Sequence, residues 1–282
     1  MDGIYLLNKP SGITSRDLVD GLGKKFNTKK VGHTGTLDPF ADGLMILTVG
    51  KATKAGMFIE ALDKRYEATI QLGTKTDTGD LTGSVIATSP IIELYDQYVN
   101  DTLESMIGPQ MQTPPMYSAI KQNGTPLYVL AREGKTVDRE PRQIYIHEMK
   151  LIKLTKDSIR FSVRCSKGTY VRTLAEDIAS KFGLVGHLTH LTRIAIGQYK
   201  LAAAKSLDSI TSEHRLSVYQ ALSFMDQVVV NDPLQIKAIK DGKPFINQHP
   251  KHRLLLIDGQ QNVLAIYDRF EGNIFKPVRG LF

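Results

Sequence analysis

The sequence predicts an α/β (α+β) protein: a large mixed, mainly antiparallel sheet flanked by helices, a cleft across one face, and a small β tail. Three observations carry this. Residues 65–72, 144–154 and 159–165 alternate apolar and polar positions, the period of half-buried strands. Leu18, Leu22 and Phe26, and again Val171, Leu174, Ile178 and Phe182, recur at helical spacing. Beyond about Met225 the texture changes to short strands separated by turns such as Asp258-Gly259 and Gly272-Asn273.

Taken in order, residues 4–8 read as a short buried strand closed by the turn cluster Lys9-Pro10-Ser11-Gly12. Thr14 or Ser15 caps a helix running to about Phe26. Residues 32–43, rich in Gly, Pro and Asp, form a loop, and the apolar run 44–49 is a strand covered on both faces. Residues 52–62 are helical, and in 65–72 Tyr66, Ala68, Ile70 and Leu72 share one face. A polar loop follows at 74–83 and a short helix at 101–107. Residues 108–142 carry five prolines and several glycines with one helical patch at 126–133, an excursion from the core able to order on a partner. Strands at 144–154 and 159–165, a helix at 170–182, a strand at 187–199 and a last helix at 217–224 complete the main body. Strands at 228–230, 254–257, 263–266 and 277–282 then make a tail that is marginal in size unless it docks on the rest.

The composition limits what such a chain does. At 41% hydrophobic and 23% charged residues it has ordinary globular values. The N-terminus lacks the basic and apolar regions of a secretory signal, and no run approaches the roughly 20 apolar residues of a spanning helix, so no membrane role is expected. Cys165 is the single cysteine, which excludes an intramolecular disulfide and fits a reducing cytoplasm. The net charge of +7 favours an anionic partner, nucleic acid first. Residues 150–200 hold ten Lys and Arg against three acids, as large an excess as that of the whole chain. That concentration reads as a footprint for phosphates, with solvated helix and strand faces as the plainer account.

Several chemistries fail on spacing. The histidine pairs His187/His190 and His249/His252 lack a carboxylate at ligand spacing, so no metal is expected. Residues 43–52 miss the phosphate-loop pattern, and no G-x-S-x-G elbow is present. What remains is Asp38 in His33-Thr34-Gly35-Thr36-Leu37-Asp38-Pro39. By spacing alone it is an Asx-turn before proline. It also serves as a nucleophile if a guanidinium keeps it ionised and aimed, and Arg172, at a helix start in Gly168-Thr169-Tyr170-Val171-Arg172, is the candidate partner.

Residues 8–12 (NKPSG), 32–47 (GHTGTLDPFADGLMIL), 64–80 (KRYEATIQLG through TKTDTGD), 114–124 (PPMYSAIKQNG) and 165–179 (CSKGTYVRTLAEDIA) together resemble the bacterial tRNA pseudouridine synthase B family, in that family's order and spacing. The resemblance implies a pseudouridine synthase catalytic domain over residues 1–225, with an RNA-clamping insertion at 108–142, and a PUA-like RNA-binding domain over 226–282. It implies isomerisation of the T-loop uridine at tRNA position 55, flipped out of its loop, to pseudouridine. Asp38 would be the nucleophile, attacking the ribose C1′ or the base C6, and Arg172 would pair with it and keep it anionic. Tyr66 would lie against the flipped uracil, although the alternation at 66–72 equally makes it a core residue. Tyr170 and Leu191 would line the pocket, a place that for Leu191 rests on the resemblance alone. His33 would help hold the T-loop, and Lys9 and Pro10 would be architectural. No cofactor is needed, because nothing is oxidised. The implied partner is the T-stem-loop of tRNA, met by a cytoplasmic monomer that needs no protein partner. Alternatives are an RNA-binding or tRNA-folding protein in which the site is incidental, and a relative acting on rRNA or under a guide RNA.

Overall fold

The computed structural model describes residues 2–282. β1 (Gly3–Lys9) leads through a turn into α1 (Ser15–Lys25). A capping box explains the helix start: the Asp17 amide donates to the Thr14 hydroxyl at 3.0 Å, and the Thr14 amide donates to the Asp17 carboxylate at 2.8 Å. β2 (Val31–His33) and β3 (Asp42–Val49) bracket the Gly-rich loop, so that loop is shorter at its front end than the composition predicts. β3 is buried from Gly43 to Val49, as its unbroken apolar run requires. A 3-10 turn (Gly50–Ala55) and α2 (Gly56–Glu60) replace the continuous helix expected over 52–62. β4 (Lys64–Leu72) shows strict alternation of buried and half-buried residues.

The hairpin β5 (Thr74–Thr76) and β6 (Val85–Thr88) frames the polar loop, and α3 (Asp96–Ser105) begins five residues earlier than predicted. The expected excursion is part core. Its first five residues form β7 (Gly108–Gln112), an edge strand of the main sheet paired with Arg142–Ile146. Two short strands, β8 (Lys121–Gln122) and β9 (Thr125–Pro126), and α4 (Leu127–Arg132) make up the rest. β10 (Arg142–Leu154), β11 (Ser158–Cys165), α5 (Val171–Lys181), β12 (Gly186–Ile196) and β13 (Tyr199–Lys200) follow. The predicted helix at 217–224 shrinks to one turn, α6 (Val218–Ala221).

The main sheet runs β1-β3-β12-β4-β11-β10-β7, with β2 added to β3 and β13 to β12. Its pairings are antiparallel except β12 with β3, where Thr192 and Arg193 face Asp42 and Gly43 in parallel. The sheet is therefore mixed and mainly antiparallel, as expected. One face packs against α1, α3 and α5 through Leu18, Leu22, Val99, Leu103, Leu174 and Ile178.

After it come β14 (Gln227–Val229), α7 (Pro233–Lys240), β15 (Phe245–Ile246), β16 (Arg253–Ile257), β17 (Val263–Glu271) and β18 (Ile274–Gly280). These strands form a separate curled sheet in the order β14-β16-β17-β18-β15. α7 was not foreseen, although Asp232 as N-cap followed by Pro233 is a helix-start signal. The Tyr267 hydroxyl ties it down by donating to the Lys243 carbonyl at 2.8 Å. Leu255, Ile257, Ile266 and Leu281 share one apolar cluster with Ile4, Leu44, Ile46 and Phe58 of the main body. That shared cluster is what stabilises so short a tail. Among the described residues no helix is long and apolar enough to cross a membrane.

α1 also holds the loop ahead of β3. The buried Ser15 hydroxyl donates to the Leu37 carbonyl and accepts from the Leu37 amide, both at 2.8 Å. Ser15→Ala leaves both backbone groups unpaired, so urea denaturation should show a loss of about 1–3 kcal/mol. A change within error would mean that the loop is held without that hydroxyl.

Candidate active site

Two crossing chain segments make the site. The loop between β2 and β3 brings Asp38, and the N-terminus of α5 brings Arg172. Everything around the loop fixes its path. Lys9 is fully buried, and its ammonium donates to the carbonyls of Pro10 and Ile13 at 2.8 Å and of Pro39 at 3.3 Å. The Gly12 amide adds a bond to Pro39 O at 2.8 Å, and the Ser11 hydroxyl one to Phe40 O at 2.7 Å. From the other side, the buried Arg193 guanidinium donates to Leu44 O at 2.7 Å, Gly35 O at 3.1 Å and Thr36 O at 3.3 Å. The parallel contact of β3 with β12 permits this, and it needs Gly43. There φ is +108°, and a Cβ would stand 2.5 Å from the Arg193 carbonyl oxygen.

Arg172 grips Asp38 with two bonds, Nε to Oδ2 at 2.8 Å and a terminal nitrogen to Oδ1 at 3.2 Å. The same guanidinium donates to Thr78 O at 2.8 Å and to Tyr117 O at 2.7 Å. Asp80 stands 3.8 Å away on its far side. Arg172 is buried, while the Asp38 side chain keeps 31% exposure, so the carboxylate is the part of the pair open to the cleft. Burial in the cleft pushes the Asp38 pKa above the ordinary carboxylate value, helped by Asp80; Arg172 and Lys9 oppose it. The arginine acts in the expected, lowering direction, and burial outweighs it.

A cavity of about 260 Å3 opens beside this pair, and Tyr66, Tyr170 and Leu191 line it with Asp38 and Arg172. Tyr66 and Leu191 come from neighbouring strands, β4 and β12, and are both buried. Burial pushes the phenols of Tyr66 and Tyr170 up, so both are neutral donors at neutral pH. Tyr170 is positioned through its backbone: its amide donates to Gln112 Oε1 at 2.8 Å, and Gln112 Nε2 donates to its carbonyl at 3.1 Å. His33 lies outside this cavity, in an adjoining groove that also contains Asp38, Arg172, Tyr117 and Arg132. Its Nδ1 accepts from the Gly35 amide at 3.2 Å. Pro10 lies under the loop, where its carbonyl receives Lys9.

Sequence reasoning missed Lys64, Asp80, Gln112 and Arg193. Lys64 was legible, because it shares the buried face of β4 two residues before Tyr66. Arg193 stood in plain view as one of the ten cations of residues 150–200, but its burial was not. The phosphate footprint placed on that segment is reduced accordingly. Arg160 pairs with Glu67 at 2.7 Å, Arg164 with Asp63 at 3.0 Å and Lys150 with Glu148 at 2.8 Å. With Arg172 and Arg193 turned inward, Lys153, Lys156, Lys167, Lys181 and Lys200 are the exposed cations of the segment that stand outside these ion pairs. Lys167 stands at the cavity mouth. Among the described residues no group of three or more His, Cys, Asp or Glu could hold a metal ion.

Solved structures share the fold. It matches the crystal structure of a Cbf5-Nop10-Gar1 complex with a TM-score of 0.76 at 18% identity, over 99% of this chain and 85% of that one. The structure of an H/ACA RNP bound to a substrate RNA containing 2′-deoxyuridine matches at 0.74 and 17%, with the same coverage. Sequence narrows the class. Residues 23–171 match the model of the TruB family pseudouridylate synthase (N terminal domain). The tRNA pseudouridine synthase B of Opitutus terrae is 46% identical over 78% of this chain and 95% of its own length. That of Hydrogenovibrio crunogenus is 39% identical over 99% of this chain and 93% of its own. The chain belongs to the TruB family of pseudouridylate synthases, enzymes that isomerise uridine to pseudouridine.

The opposition between burial and Arg172 has a measurable sign. The folded-state pKa of Asp38 lies above its unfolded value, so its contribution to stability is full below the unfolded pKa and is lost as pH rises through the folded one. In Arg172→Gln, with the opposing charge gone, carbon-13 NMR should show the Asp38 carboxyl titrating at higher pH than in the wild type. An unchanged or lower midpoint would show that another group opposes burial.

Proposed function

We propose that this protein converts the T-loop uridine at tRNA position 55 to pseudouridine, with Asp38 as the nucleophile. The observation that carries the reading is the bidentate Asp38–Arg172 pair, part exposed at the wall of a cavity whose other walls are Tyr66, Tyr170 and Leu191. A cavity this deep takes a uracil only after it leaves its stack, at a cost of a few kcal/mol. Tyr66 offers it an aromatic surface, worth about 1–3 kcal/mol per stacked base. Leu191 excludes water, and Tyr170 presents a neutral hydroxyl.

Attack of Asp38 at C1′ or at C6 uses the same ionised, aimed carboxylate. Either route breaks C1′–N1 and forms C1′–C5; C5 loses a proton and N1 gains one. No oxidant or cofactor enters that balance. The excursion between β7 and β10 supports the reading, because Tyr117 and Arg132 from it wall the groove that holds His33. A T-loop seated there would meet His33 while its uridine turns into the cavity. Lys167 at the mouth suits the flipped nucleotide's phosphate.

We assign residues 1–225 to the catalytic domain, with 108–142 as the segment that closes on RNA, and 226–282 to a PUA-like RNA-binding domain. We further propose that the chain acts as a monomer on tRNA alone, in the cytoplasm. The curated relatives named for tRNA share 39–46% identity with it, whereas the Cbf5 assemblies share only the fold. Assistance to tRNA folding fits the same groove as a second consequence of binding.

The test is an unmodified tRNA transcript mapped for pseudouridine. The wild type should place it at the T-loop uridine. Asp38→Asn should lose about 10⁶-fold in rate while retaining RNA binding, the scale at which removal of a nucleophile acts. Equal product from both proteins would sink the nucleophile assignment.

A further inference from the structure

Lys64 and Arg193 wall the base cavity beside Tyr66, and the reaction as written above gives them no part. Both are buried, at 6% and 1% exposure. Both are held by backbone carbonyls: Lys64 by those of Glu60 and Leu62, Arg193 by those of Gly35, Thr36 and Leu44. Carbonyl oxygens satisfy N–H groups without cancelling the charge. Such a buried cation is costly, and a lysine or arginine that merely filled space would be replaced by an apolar side chain without loss. The groups facing Lys64 are Arg193 from β12, Glu60 at the end of α2, Asp63 in the turn before β4, and Cys165 from β11. Asp63 is taken up by Arg164 and His147, and Glu60 is exposed. Glu60 also lines this cavity, but among the described residues neither cation is held in an ion pair, so both charges stand beside the cavity on carbonyl partners.

We propose that Lys64 and Arg193 form a fixed, positively charged floor that stabilises the negative charge gathered on the uracil while it is detached from C1′. The inference rests on the pseudouridine-forming reading of this cavity. When C1′–N1 breaks, its electron pair stays on the ring, spread over N1, O2 and O4. The ring then turns, C5 bonds to C1′, C5 releases its proton and N1 takes one up, so charge and electrons balance. An anion held in a site of low dielectric gains most from cations already in place, because they do not reorganise during the reaction. β4 and β12 supply that rigidity, since Arg193 and Tyr66 are cross-strand partners and Lys64 lies on the same face.

The experiment measures single-turnover conversion at saturating enzyme, with RNA affinity measured separately. Lys64→Met should slow conversion about 100-fold while RNA affinity stays within about 3-fold. Lys64→Arg, which keeps the charge, should recover most of the loss. The wild-type rate should fall on the alkaline side as Lys64, lowered to about 8 chiefly by burial, gives up its proton. Lys9 lies in the same range, so Lys64→Arg distinguishes them: the alkaline limb disappears if Lys64 is responsible. An unchanged rate in Lys64→Met overturns the proposal. So does an alkaline limb that persists in Lys64→Arg, a measurement that remains decisive if Lys64→Met fails to fold. The comparison is made at whichever uridine the wild type converts. Conversion elsewhere would refute the T-loop reading, and the variants would still decide the charged floor.

Discussion

The grip of Arg172 on Asp38 is the contact on which the rest of the structure turns. One buried guanidinium serves four acceptors: both carboxylate oxygens, Thr78 O from the loop inside the β5–β6 hairpin, and Tyr117 O from the excursion. Three segments far apart in sequence thus share one planar fork, a geometry that the point charge of a lysine cannot supply. The Asp38 carboxylate is aimed by the same group that brings two further loops to it. Breaking the pair would strand a charge in the interior, so these loops are organised together.

Around that contact the protein uses a second device, cations solvated by its own backbone. Lys9 sits beneath the catalytic loop and Arg193 behind it, each donating to three carbonyls. Loops leave carbonyls without ladder partners, and a buried cation collects several of them at one point. These bonds offset part of the cost of burying the charge. Asp38 feels both sides, with desolvation raising its pKa and Arg172 and Lys9 pulling it back. The result is a carboxylate less strongly stabilised as an anion than a surface aspartate.

The second sheet illustrates a different constraint. Fewer than 60 residues make a poor independent core, and here Leu255, Ile257, Ile266 and Leu281 complete an apolar cluster with strands of the main body. Strand positions in this tail were legible from their short apolar runs. α7 was not, because Pro233 and the polar residues around it read as a loop until Asp232 is recognised as a cap.

What the sequence determined by itself is whatever repeats at a short period or stands in a contiguous motif. Alternation placed β4, β10 and β11, helical spacing placed α1 and α5, and the GHTGTLDP loop singled out Asp38. Tyr66 and Tyr170 came with the family's motifs and Leu191 with the resemblance alone, and the tertiary structure brings all three to one cavity. Tertiary structure alone decided which charges are buried and what each one faces. Arg193 and Arg164 lie in one basic segment, yet one turns inward onto carbonyls and the other outward onto Asp63. The parallel seam between β3 and β12, the excursion's edge strand β7 and the Asp80 side of Arg172 were equally invisible. Periodicity reports how a residue sits relative to its own strand or helix. The sign and depth of an electrostatic environment depend on segments more than a hundred residues away, and only the folded chain brings those into contact.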